Sequence, residues 1–183
     1  MNRTIIAALA LAVLALPVGA SGQTDAHTYT DPAMSYTAPA DFTPVPVPSN
    51  PPDAFEQPTI MAMFVRHPKQ PDVTEISLTM ENTTEELASY ESDVESKARN
   101  TGTGDSVFVK KQLVTLANGM PAYFLNITIS ADATEIQTFE YVWVDRLRGV
   151  ILAASSRYGV IDERSAKKML STATATAYPR NQI

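Results

Sequence analysis

Few side chains in this sequence can do acid–base or metal chemistry at neutral pH, because it contains two histidines, His27 and His67, and no cysteine. The lack of cysteine excludes thiolate metal sites, cysteine nucleophiles and disulfide frameworks. His67 follows an apolar segment and precedes a proline, so we expect it at the end of a strand, where Asp72 or Glu75 could join it as metal ligands. A serine–histidine–aspartate triad would need the same His67, but the sequence has no Gly-x-Ser-x-Gly turn to present the nucleophile.

A single histidine among scattered carboxylates is more often a solvated surface residue than a metal ligand. We therefore predict no metal site, no cofactor and no catalytic residue. The enzymatic alternative is an exported hydrolase that uses His67 or carboxylates.

Acidic residues are concentrated in the first predicted helix. Glu91 and Glu95 are one helical turn apart and share a face, an arrangement that could bind a cation or pair an acid with a base. The opposite stripe is apolar and includes Tyr90 and Val94. We therefore interpret the carboxylates as the solvated face of an amphipathic helix.

Arginines in the second half of the chain are the candidate contacts for a partner. Arg146 and Arg148 lie in a predicted hairpin turn, and Arg157 ends the strand that follows. Residues 21–105 contain 4 basic and 14 acidic residues, whereas residues 106–183 contain 9 basic and 6 acidic ones. The arginines could contact an anionic partner, or they could be solubilising charge that pairs with the acidic half of the same fold. The formal net charge of −6 argues against a nucleic-acid partner.

Three aromatic residues, Phe139, Tyr141 and Trp143, alternate along one predicted strand and therefore share a face. They could line a cleft for a small ligand. Aromatic residues in this pattern are more often core beneath a helix, so both interpretations stay open.

The N-terminus has the anatomy of a secretory signal peptide. Residues 5–16 are an unbroken apolar run of 12 residues, which Pro17 ends. A membrane span needs about 20 residues, and small residues up to Ala20 suit a signal peptidase, so we predict a signal peptide over residues 1–20. Cleavage after Gly22 is the alternative. Nothing later is apolar enough to span a bilayer, so we expect a periplasmic or secreted protein, and the lack of cysteine fits a bacterial periplasm.

The mature chain is expected to form a single domain. We predict a disordered linker over residues 21–33, a domain over residues 34–178 and a frayed tail over residues 179–183. The proline-rich residues 42–58 lack the N–H groups that a helix or a central strand needs, so they predict an extended surface loop. The alternative is a docking site for a partner that recognises polyproline helices.

Hydrophobic periodicity predicts a strand before the loop, and then six strands and two helices. A Thr83–Glu86 capping box is expected to begin the first helix, and Asp162 to cap the second. The six strands are expected at residues 59–66, 73–80, 107–116, 122–130, 136–144 and 150–158. Several of them are apolar on both faces, which favours a sheet covered by helices. The predicted fold class is α+β, a mainly antiparallel β-sheet with helices packed on it.

This order of elements, with two local sequences, resembles the PsbP-like and DcrB-like (LpqN-like) superfamily of α/β/α sandwiches. The matching features are the opening YTDPAMSYTAP at residues 29–39, the acidic helix after two strands, the turn and strand LANGMPAYFL at residues 116–125, and two long strands followed by a C-terminal helix. The resemblance covers about residues 29–178. It implies an exported accessory protein without a shared active site, so it assigns no catalytic residue.

Together these features predict an envelope accessory protein that recognises another envelope component through its surface and performs no catalysis. We expect an envelope protein or complex as partner, no nucleic acid and no membrane-spanning segment. A periplasmic hydrolase and a carrier of a small ligand or metal are the alternatives.

Overall fold

The computed structural model describes residues 27–31, 34–47, 58–66, 73–100, 106–131 and 134–175. In chain order, the elements are β1 (Thr28–Thr30), β2 (Met34–Thr37), β3 (Thr43–Val45), β4 (Thr59–Arg66), β5 (Thr74–Asn82), α1 (Leu87–Arg99), β6 (Ser106–Thr115), β7 (Pro121–Ala131), β8 (Thr134–Asp145), β9 (Arg148–Arg157), α2 (Glu163–Leu170) and β10 (Thr174–Ala175).

Seven strands form one sheet in the order β3-β4-β5-β9-β8-β7-β6, and every neighbouring pair is antiparallel. The predicted turn between β6 and β7 is confirmed, because Gly119 has φ +84° and its N–H donates to the carbonyl of Leu116 at 2.9 Å. The Asn118 side chain supports the same turn by accepting the N–H of Met120 at 3.2 Å. Asn-Gly is favoured here because a tight hairpin turn requires positive φ.

The two helices lie on opposite faces of this sheet. Successive side chains of a strand point to opposite faces. Phe124 of β7 belongs to the same cluster as Leu170 of α2, whereas the next residue, Leu125, belongs to the cluster of Tyr90 on α1. We call these the α2 face and the α1 face. The predicted α+β class, an antiparallel sheet with helices packed on it, is thus confirmed.

A second sheet, which we call the small sheet, has the order β1-β2-β10. Ser35 of β2 pairs with Thr174 of β10, and the Tyr36 hydroxyl donates to the Met169 carbonyl at 3.1 Å. The small sheet therefore covers the α2 face beside α2. The prediction of a disordered linker over residues 21–33 is wrong for Thr28–Thr30. Side chains alternate in direction along this strand, so Tyr29 points into the core and is buried.

The proline-rich loop is also shorter than predicted. Thr43–Val45 form the edge strand β3, where Pro44 is tolerated because one side of an edge strand needs no ladder hydrogen bonds. Residues 48–57 of that loop, the predicted signal peptide and the predicted tail lie outside the described residues.

One of the two predicted helix caps is confirmed. The Asp162 carboxylate accepts the Ser165 N–H at 2.7 Å, and this hydrogen bonding lowers the pKa of Asp162. The predicted capping box is wrong, because α1 begins at Leu87 and Glu86 makes no side-chain cap. Thr83 instead donates its N–H to the carbonyl of Leu147 at 2.8 Å, so the end of β5 is held to the turn between β8 and β9 before the helix begins.

Candidate functional site

The turn between β8 and β9, Asp145–Arg148, is the hairpin tip. Arg146 is the first of its two central residues and has φ +60°, a left-handed conformation that a non-glycine residue rarely adopts. Leu147 follows it and is 65% exposed. The hydrogen bond from Thr83 to the Leu147 carbonyl fixes this turn to the body of the fold. The hairpin tip is therefore a supported projection with an exposed leucine beside an exposed arginine.

Arg148 has a structural role as well as a candidate binding role. Its guanidinium lies 3.5 Å from the Asp31 carboxylate. Asp31 also accepts hydrogen bonds from the Tyr29 hydroxyl at 3.0 Å and the Met34 N–H at 2.8 Å. Arg148 thereby joins the hairpin tip to the small sheet. Burial raises the pKa of Asp145 in the same turn, and the positive charges of Arg146 and Arg148 oppose this shift.

The structure does not bring Arg157 to the same surface as Arg146 and Arg148. Arg148 and Arg157 are the first and last residues of β9, so their backbones are about 30 Å apart. Arg157 is exposed at the end of the sheet that lies opposite the hairpin tip. Partner binding by these arginines stays a prediction, but the three cannot form one patch.

Phe139, Tyr141 and Trp143 share the α2 face, as their spacing predicts. Phe139 and Trp143 are fully buried, and only Tyr141 is partly exposed. The Phe124 ring packs 5.2 Å from the Tyr141 ring and 6.1 Å from the Phe139 ring, between centroids. This packing fits the core interpretation. A ligand cleft formed by the three residues stays a prediction.

The acidic face of α1 is not fully solvated, which corrects the expectation for Glu91. Glu91 is buried and lies 2.9 Å from the ammonium of Lys111 on β6, which also reaches Glu95 at 3.1 Å. Hydrogen bonds to these carboxylates raise the pKa of Lys111, and Arg99 is the main cause of the lowered pKa of Glu95. The carboxylates therefore hold α1 against the edge of the sheet.

Within the ranges that the model describes, no group of three or more His, Asp or Glu side chains is placed to hold a metal ion. The predicted metal-site alternative combined His67 with Asp72 or Glu75. His67 and Asp72 lie outside those ranges, and Glu75 lies on β5. The helices found in the described segments are too short or too polar to cross a membrane.

Sequence reasoning missed a half-buried acid on the α1 face that has one carboxylate oxygen out of reach of solvent. Glu140 lies in register between Leu125 and Ala153, and its Oε2 is buried without a hydrogen-bond partner among the described residues. Burial raises the pKa of Glu140 to about 7. The available signal was a single carboxylate within a run of apolar and aromatic residues, TFEYVWV.

Sequence reasoning also missed a cleft of about 380 Å³ on the α2 face, at the end of the sheet opposite the hairpin tip. We call it the edge cleft, and its lining residues are Val107, Phe108, Thr128, Ser130, Glu135 and Tyr158. Phe108 is 64% exposed and shares a strand face with Lys110 and Gln112. An aromatic residue on an otherwise polar strand face was the signal in the sequence.

No family model matches this chain, and no curated protein matches it in sequence. Solved structures with a similar fold include LpqN, involved in cell envelope biogenesis of Mycobacterium tuberculosis, at 16% identity and a TM-score of 0.54, with 79% of this chain and 86% of LpqN covered. PA94 from Pseudomonas aeruginosa, a protein of unknown function proposed to be a regulator, is 14% identical with a TM-score of 0.53, covering 78% of this chain and 100% of PA94.

A chain from Bacteroides thetaiotaomicron VPI-5482 is 11% identical with a TM-score of 0.51 over 81% of this chain. The match covers 48% of that longer chain, so the present chain spans about half of it. At these identities the comparisons show a shared fold. This chain thus has the fold of LpqN, whereas its membership of the PsbP-like and DcrB-like superfamily stays a prediction.

Proposed function

We propose that this protein is an exported accessory protein of the bacterial envelope, which binds another envelope component through the hairpin tip and performs no catalysis. The sequence supports export through its predicted signal peptide. The fold shared with LpqN, a protein involved in cell envelope biogenesis, supports an envelope role.

The observation that carries the proposal is the conformation of Arg146. Glycine is preferred where the first central residue of a two-residue hairpin turn has positive φ, and a larger residue there costs about 1–3 kcal/mol. Such strained residues concentrate at functional sites. The chain has an arginine at this position, followed by the exposed Leu147. The strain and the exposed apolar side chain are both explained if the tip is shaped for a partner.

The test compares cross-linking of purified envelope extract to the wild-type protein and to the R146N/L147S variant. Asparagine tolerates positive φ better than other side chains do, so this variant keeps the turn while it removes the charge and the apolar surface. We expect one envelope component to be captured by wild type and its yield to fall about tenfold in the variant, because contacts at the centre of an interface dominate affinity. Quantitative mass spectrometry measures the yield.

The matched control is L113S/R164N. Leu113 is 61% exposed on the edge strand β6, and Arg164 is exposed on α2, so this variant makes the same chemical changes away from the hairpin tip. Capture by the control should equal capture by wild type. Equal loss in both variants, or equal capture by all three proteins, would show that the hairpin tip is not the binding surface.

A further inference from the structure

The edge cleft is formed where the ends of β6, β7 and β8 lie side by side. Ser130 of β7 pairs in register with Glu135 of β8, and Thr128 lies on the same face two residues away. Tyr158 follows the last residue of β9 and donates its N–H to the Glu135 carbonyl at 2.8 Å. The cleft is therefore held by ladder hydrogen bonds on three strands, at the end of the sheet away from the hairpin tip.

The walls of the edge cleft are aromatic. Phe108 on one side is 64% exposed and Tyr158 on the other is 57% exposed. Three strand spacings separate their backbones, which is about 14 Å. Single exposed aromatic residues are common, whereas two that line the same cleft make it a candidate for ligand binding.

The floor of the cleft is rich in hydrogen-bond acceptors. The Ser130 hydroxyl donates to Glu135 Oε1 at 3.1 Å. Its proton is used in this hydrogen bond, and its oxygen lone pairs can accept a hydrogen bond from a ligand. The Thr128 hydroxyl and the second carboxylate oxygen of Glu135 add further acceptors. In the described part of the chain, no ion pair includes Glu135. A ligand that matches this floor brings donors and a positive charge.

We propose that the edge cleft binds a primary ammonium group on an alkyl chain. The ammonium donates to Glu135 and Thr128 on the floor. The alkyl chain packs between the side chains of Phe108 and Tyr158, and a ring within about 6 Å of the ammonium adds cation–π attraction. Either a free alkylamine or the side chain of a lysine in a polypeptide has this chemistry. The site is independent of the hairpin tip, so either proposal can fail without the other.

The test is a titration of the ¹⁵N-labelled protein, followed by amide chemical shifts. The probes are n-butylammonium and Nα-acetyl-lysine-N-methylamide, and their uncharged counterparts are n-butanol and Nα-acetyl-norleucine-N-methylamide. We expect both amines to shift the amides of the cleft residues, and added salt to weaken this binding because the site is exposed. Tighter binding of the lysine derivative assigns the natural ligand to a polypeptide, and equal or tighter binding of butylammonium assigns it to a free amine.

Two variants test the chemistry of the site. E135Q keeps the shape and the acceptor for Ser130 but removes the charge, and we expect it to weaken amine binding about tenfold. Y158L keeps an apolar wall but removes the ring, and it should weaken the amines more than the uncharged probes. E86Q removes an exposed charge on another surface and is the control. Any one of four results would overturn the proposal. These are equal binding of the charged and uncharged probes, chemical-shift changes outside the cleft, no binding of either amine, and wild-type affinity for the amines in E135Q.

Discussion

The E140Q variant is expected to be more stable than wild type at pH 8 by about 3 kcal/mol, and to lose this advantage at pH 4. Burial raises the pKa of Glu140 from 4.5 to about 7 because Oε2 has no hydrogen-bond partner to stabilise its charge. Ionisation at alkaline pH therefore places an uncompensated charge inside the α1 face. Urea unfolding of both proteins between pH 4 and pH 8 measures the difference.

The direction of the effect follows from the two pKa values. Below the unfolded pKa of 4.5, Glu140 is neutral in both states and does not oppose folding. As pH rises, the unfolded chain loses this proton first, so the free energy of unfolding falls until pH passes the folded value of about 7. Other carboxylates, such as Glu95 and Glu163, have lowered pKa values and act in the opposite sense. The informative quantity is consequently the difference between variant and wild type at each pH.

E86Q serves as the control for this measurement as well, because Glu86 is exposed and its replacement removes the same charge. Its stability should differ from that of wild type by less than about 1 kcal/mol at every pH, because a carboxylate at a helix N-terminus contributes no more than this. The E140M variant has no polar group at this position, whereas E140Q places an amide there. The free energy of unfolding of E140M should depend on pH in the same way as that of E140Q. If E140Q and wild type keep a constant stability difference between pH 4 and pH 8, Glu140 does not titrate as the structure indicates.

The G149A variant is expected to be destabilised by about 3 kcal/mol. Gly149 lies on β9 directly beneath the ring of Tyr90, and an alanine Cβ would come 2.5 Å from the Tyr90 oxygen and closer to its ring carbons. The ring cannot move away freely, because Tyr90 is buried and its hydroxyl hydrogen-bonds to Glu81. The free energy of unfolding from urea denaturation measures the cost.

A double-mutant cycle identifies the ring as the cause. Leucine at position 90 removes the ring atoms above Gly149, so G149A should cost about half as much in the Y90L background as in wild type. Y90F keeps the ring and loses only the hydroxyl, so G149A should remain costly there. A cost that is the same in all three backgrounds would place the strain elsewhere.

Periodicity and local turn chemistry were sufficient to predict most of the fold. Six strands, the apolar stripe of α1 and the Asp162 cap follow from patterns within about ten residues, and the structure has them. The small sheet could not be predicted in the same way, because β2 and β10 pair over a separation of about 140 residues and β10 has two residues. The capping box failed for a related reason, since the contact of Thr83 with Leu147 is also remote in sequence.

The candidate sites depend still more on tertiary structure. The sequence predicted that Arg146 lies in an exposed turn, but not its left-handed backbone or the ion pair between Arg148 and Asp31. The raised pKa of Glu140 depends on which side chains close over a strand position, and the edge cleft depends on the alignment of three strand ends. Sequence spacing gives the face on which a side chain lies, while its surroundings come from the folded chain.

The pairing of β2 with β10 has a consequence for the order of events during synthesis. β10 pairs with β2 to complete the small sheet. This sheet therefore cannot form until Thr174 and Ala175 have left the ribosome. Closing so long a loop is entropically costly, so we expect this step late in folding. A nascent chain that has not yet reached Ala175 therefore leaves the core on its α2 face open to solvent. Such a delay would suit the export that we propose for this protein, because a chain is exported before it has folded.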